Sequence, residues 1–79
     1  MTNFGPWTPD IDPAERLART RTLRALVRVY TGPKHPTLLE SLRRAEADPA
    51  ALAEAASLFD ALPAIPRRHI LASYAETMR

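Results

Sequence analysis

Eight prolines decide what this chain can fold into. They stand at positions 6, 9, 13, 33, 36, 49, 63 and 66, and they leave four long stretches free of proline. Proline fixes φ and lacks a backbone N–H, so it is tolerated in a helix only within the first turn. The residue before it is pushed toward extended backbone. Each proline or proline pair therefore marks a boundary. The stretches between them read as helices over about 13–31, 37–47, 49–62 and 66–78. No segment alternates apolar and polar residues over four or more positions, so strands find no support. The expected fold is all-α: a compact bundle of about four short helices, residues 13–79, preceded by an extended aromatic- and proline-containing N-terminal arm, residues 1–12.

The helix ends carry recognisable signals. Asp12-Pro13-Ala14-Glu15 resembles a capping box with Asp12 as the cap. Gly32 is placed to end the first helix in a left-handed conformation, and Pro33 prevents its resumption. Thr37-Leu38-Leu39-Glu40 reads as a second capping box. Asp48 caps the third helix with Pro49 in the first position, and Pro66 opens the fourth.

The core is thin. Of 36 apolar residues, 14 are alanine, so 22 large side chains must hold 79 residues together. A domain of this size rarely draws more than ~3–5 kcal/mol from one core. On a 100° wheel, Leu23, Leu26, Val27 and Tyr30 share a face of the first helix, widened by Ala18, Ala25 and Val29. Leu38, Leu42 and Ala45 do so on the second, with Leu39 at the edge. Leu52, Ala55, Ala56, Phe59 and Leu62 form the stripe of the third, flanked by Leu58. Ile70, Leu71, Tyr74, Ala75 and Met78 form that of the fourth. Phe4, Trp7 and Ile11 lie outside this pattern, on the arm. Two readings of Trp7 stand: it folds back to cap the bundle, or it docks onto a partner or a second copy of the chain.

The net charge of +2 conceals blocks of −2 over residues 1–12, +6 over 13–44, −4 over 45–62 and +2 over 63–79. Arg21, Arg24 and Arg28 fall within about 60° of one another on the first helix. They line a basic stripe that would suit an acidic partner or a polyanion, or would pair with the acidic third helix. Leu17 lies at the same angle, as a contact point or as a residue covered by the arm. Lys34 adds charge in the following loop. Arg67 and Arg68 open the fourth helix, where its dipole disfavours cations, so they point to contact with phosphate, with an acidic partner or with Asp60.

Much chemistry is excluded by residue type. There is no cysteine, hence no thiolate metal site, disulfide or cysteine nucleophile. His35 and His69 lack metal-ligand spacing. Ser41, Ser57 and Ser73 sit inside helices rather than in a nucleophile elbow. No glycine-rich phosphate loop occurs, because the glycines are Gly5 and Gly32 alone. The first ten residues lack the features of a signal peptide, and no run approaches the ~18 apolar residues of a membrane span. A helix-turn-helix formed by the last two helices is disfavoured by their Pro-Ala-Ile-Pro turn and by Glu76 on the outer face.

The expected function is therefore a small non-enzymatic helical protein-binding module: a regulator, adaptor or accessory subunit. It would be bacterial and cytoplasmic, without cofactor or metal, and would act on a protein partner or as a homodimer. The residues expected at its interface are Trp7, Leu17, Arg21, Arg24, Arg28, Lys34, Arg67 and Arg68. One alternative is a nucleic-acid-binding protein using Arg21, Arg24, Arg28, Lys34, Arg43 and Arg44. Another is a phage-encoded or structural accessory protein.

Overall fold

The computed structural model describes residues 6–8 and 10–77. Phe4, Gly5, Pro9 and Met78 lie outside them, and so does half of the expected arm. The described residues form four α-helices: α1 (Pro13–Thr31), α2 (Pro36–Ala47), α3 (Leu52–Asp60) and α4 (Ala64–Thr77). Single 3₁₀ turns, Gly32–Lys34 and Pro49–Ala51, precede α2 and α3. No strand occurs among the described residues. The all-α bundle expected from the proline pattern is what forms.

Prolines shift the helix starts from the expected positions. Asp12 caps α1 as anticipated, its Oδ1 accepting from the Ala14 N–H at 2.8 Å. Glu15 does not complete the box; its carboxylate takes Arg19 Nε at 2.9 Å instead. The Thr37–Glu40 box does not form either. Pro36 occupies the first turn of α2 with its φ already set, so the helix starts earlier, and His35 caps it without a side-chain bond. Asp48 caps through the Ala50 N–H at 3.1 Å, but the chain makes a 3₁₀ turn before α3 begins, and α3 ends at Asp60 rather than 62. Helix α4 starts at Ala64, which puts Pro66 third in the helix. That N–H position has no intrahelical partner in any helix, so proline forfeits no bond there.

Gly32 has φ 58° and ψ −135°, close to the mirror image of polyproline II rather than the expected left-handed helical cap. Pro33 excludes helical ψ for the residue before it. Glycine, lacking a Cβ, is free to satisfy that restriction at positive φ. Its N–H still donates to the Arg28 carbonyl, closing α1.

Helix α1 packs against both α2 and α4, and α2 also carries α3. The core is Leu23 and Val27 of α1, Leu38 and Leu42 of α2, Ala55 and Phe59 of α3, Leu62, and Ile70 and Tyr74 of α4. Half-buried Leu26, Leu39, Leu58 and Leu71 pack around it. The wheel overstated the buried face of α1. Val29 is 74% exposed, Tyr30 43%, and Ala18 and Ala25 are exposed too. Ala18, Ala25 and Val29 lie roughly 140–180° round the helix from the buried Leu23/Val27 side, so they face outward. The Tyr30 hydroxyl meets the Ser73 hydroxyl at 2.6 Å, and its ring lies 5.9 Å from that of His69 at the α1/α4 edge. Ala75 is exposed as well.

The lead-in is tied down. Arg16 of α1 donates from Nε to the Pro6 carbonyl at 3.2 Å and from Nη2 to the Thr8 carbonyl at 3.0 Å. Pro6 is fully buried, and the Trp7 ring lies 5.8 Å from Phe59 at a tilt of 43°. The indole packs on this chain's own core, as the first reading of Trp7 has it.

Tyr74 is buried, and burial pushes its phenol up to about 12 from the ordinary 10.0. The native state therefore holds this proton more tightly than the unfolded chain does. Stability is complete below pH 10 and falls as the pH rises toward 12, where only the unfolded chain has ionised. Urea midpoints measured across that window should fall, and Tyr74→Phe should remove this part of the alkaline loss. A fall of equal size in the Phe variant would place its origin elsewhere.

Candidate docking groove

Helices α1 and α2 and the link between them enclose an open groove of about 810 Å³. Its α1 wall is Arg21, Arg24, Ala25 and Arg28, one face of the helix at i, i+3, i+4 and i+7. Gly32, Pro33 and Pro36 close the end at the link. Leu39, Glu40 and Arg43 form the α2 wall. The lining thus mixes apolar residues (Ala25, Pro33, Pro36, Leu39) with four arginines and one glutamate.

The arginines are ordered by two glutamates. Glu46, in the last turn of α2, has a side chain only 16% exposed. Arg21 Nε reaches its Oε1 at 3.4 Å, and Arg24 Nε stands 3.0 Å from its Oε2. The Arg24 approach is off-axis, so that buried oxygen has no hydrogen bond. These arginines pair with α2, not with acidic α3, because α2 is the helix packed beside this face. Glu40 is held by Arg43 in a bidentate fork, Nε to Oε2 at 2.9 Å and Nη2 to Oε1 at 2.6 Å. This hydrogen-bonded fork lowers the Glu40 pKa below its usual range and raises that of Arg43. Arg28 makes no ion pair with any described residue.

Of the eight residues expected at an interface, the structure gathers three, Arg21, Arg24 and Arg28, along one wall. Trp7 lies on Phe59 instead. Leu17 is half-buried on α1 away from the groove lining. Lys34 lines a separate, smaller cleft of about 210 Å³ with His35, Leu58 and Ala61. Arg67 turns back across the inter-helix turn. Its Nη1 donates to the carbonyls of Asp60, 2.7 Å away, and Leu62, 3.1 Å away. It therefore serves the C-terminal end of α3, where a cation is favoured, and meets the backbone of Asp60 rather than its carboxylate. Arg68 is exposed on α4.

The groove residues not expected at a protein interface are Ala25, Gly32, Pro33, Pro36, Leu39, Glu40 and Arg43. A signal existed in Leu39 and Arg43. They are four apart, so an apolar residue at the edge of the buried face of α2 stands beside an arginine on its outer side.

Among the described residues, no group of three or more His, Asp or Glu side chains is placed to hold a metal ion. No helix among them is long and apolar enough to cross a membrane. Comparison with protein families, with curated proteins and with solved structures gave no match.

Proposed function

We propose that the chain is a small non-enzymatic helical protein-binding module that docks another protein along the α1/α2 groove. The observation that supports this most is the combination in one concave surface of apolar residues with arginine side chains. Interface cores favour that mix, because arginine supplies both contact area and directional hydrogen bonds. Nucleic-acid binding draws less support. Glu40 and Glu46 stand among the same arginines and offset the field that a phosphate backbone needs.

Ala25→Tyr separates these readings. Ala25 is exposed, so a tyrosine there fills the groove without altering its charge. The chain and the variant are immobilised and compared for protein captured from the source organism after nuclease treatment. The expected result is a captured protein whose yield falls about tenfold or more in the variant, with an unchanged thermal melt. Binding of a labelled oligonucleotide that weakens steeply with salt and survives Ala25→Tyr would instead make this a nucleic-acid-binding protein.

A further inference from the structure

We infer that the segment docking in this groove is an acidic helix of a partner protein, with Arg28 taking one carboxylate and Arg43 exchanging Glu40 for another. The inference rests on the protein-binding reading above and specifies its ligand.

The Glu40–Arg43 fork carries it furthest. A carboxylate already lies in the groove, gripped at two points by a groove arginine. That is the contact an acidic ligand would make, supplied from within the chain. Both side chains of the pair are more than half exposed. The pair is open to solvent, so an incoming carboxylate can take the same two-point contact while Glu40 returns to water. Arg28 stands on the opposite wall with no acid of its own among the described residues. Arg21 and Arg24 are fixed by Glu46 and shape the wall rather than offering themselves.

The backbone sets the form of the ligand. The walls are helices whose N–H and C=O groups are paired internally, and Pro33 and Pro36 at the link have no N–H to donate. A strand lying here would find no edge to pair with. A helix brings its backbone already satisfied and needs only apolar side chains for Ala25 and Leu39.

A second copy of this chain does not meet the requirement. Helices α1 and α4 carry one acid each, Glu15 and Glu76, and α2 and α3 carry two each, six residues apart, so no helix presents acids at i, i+3 or i, i+4 spacing. No acidic stripe is left to lay into the groove of a neighbour.

The probe is a 14-residue amphipathic helical peptide of leucine, alanine and glutamate, with glutamates at i, i+4 spacing flanking the leucine stripe. Its control carries glutamine in place of every glutamate. Binding is followed by amide chemical shifts of the isotope-labelled full chain. The glutamate peptide should shift amides of the groove walls, and the glutamine peptide should bind about tenfold more weakly. Arg28→Ala should weaken the glutamate peptide about fivefold or more. Glu40→Gln should tighten it several-fold by removing the internal competitor.

The inference is overturned if both peptides bind equally, or if Glu40→Gln leaves the glutamate peptide unchanged or weaker. In that case a captured protein that remains sensitive to Ala25→Tyr preserves the protein-binding reading. If neither peptide shifts the groove and capture is also indifferent to Ala25→Tyr, both readings fall. A short DNA duplex that displaces the glutamate peptide and binds more tightly also overturns the inference.

Discussion

Phe59→Ala is expected to leave the chain largely unfolded at ambient temperature. Phe59 is 1% exposed and lies at the meeting point of the lead-in with the bundle: its ring faces Trp7, and it shares the core with residues of all four helices. Truncating a buried phenylalanine costs roughly 3–5 kcal/mol, part transfer and part cavity. A single core in a domain under ~80 residues supplies about that much in total. Alanines near it, Ala55 foremost, are too small to close the void. Circular dichroism with urea titration is the check. The variant should show little helix and no cooperative transition, whereas Phe59→Leu should retain both. A cooperative transition weakened by less than about 1 kcal/mol would mean that the core does not converge on this ring.

The second large effect concerns Trp7→Ala. If the indole were an exposed anchor for a partner, its removal would leave the melt unchanged. Seated on Phe59 as it is, the half-buried ring should cost about 2 kcal/mol when truncated, less than a fully enclosed aromatic. For a domain of this length that lowers the melting midpoint by roughly 8–16 °C. The indole Nε1 is buried without a hydrogen-bond partner, so part of the apolar gain is already offset. Trp7→Phe, which keeps the ring and discards that N–H, should recover most of the loss. Scanning calorimetry of the three proteins measures it directly. An unshifted midpoint for Trp7→Ala would return the residue to the set of partner contacts.

Architecture was legible because prolines punctuate this chain so densely. What they mark is a first turn, not a first residue. That is why α2 and α4 start before the expected positions, with Pro36 and Pro66 inside the helix. The large apolar core residues were visible from helical spacing. Val29 was misplaced because the face was drawn too wide, roughly 140° beyond the Leu23/Val27 side, and Tyr30 stands at the edge of that side against α4. Fully buried Thr20 and Ser41 drew no attention as polar residues. Thr20 is tolerated because its hydroxyl bonds the Arg16 carbonyl one turn back. Ser41 has no such partner in the structure.

The site was half legible. Periodicity put Arg21, Arg24 and Arg28 on one wall, since that is a property of a single helix. The opposite wall was not, because pairing Leu39 and Arg43 with that stripe requires knowing how the link sets α2 against α1. Arg67 was read from its place in α4, while its guanidinium acts on the helix before it.

Every residue lining the groove lies between Arg21 and Arg43. On the proposed function, recognition lies on one unbroken stretch of 23 residues, the outer side of a hairpin whose inner side holds Leu23, Val27, Leu38 and Leu42. The lead-in, α3 and α4 contribute nothing to that outer surface. They act as ballast that keeps the hairpin folded. If the proposed function holds, ligand preference and thermal resistance rest on separate sets of residues. On that reading a changed residue at position 28 or 43 alters what is bound, and one at 59, 70 or 74 acts through the stability of the fold.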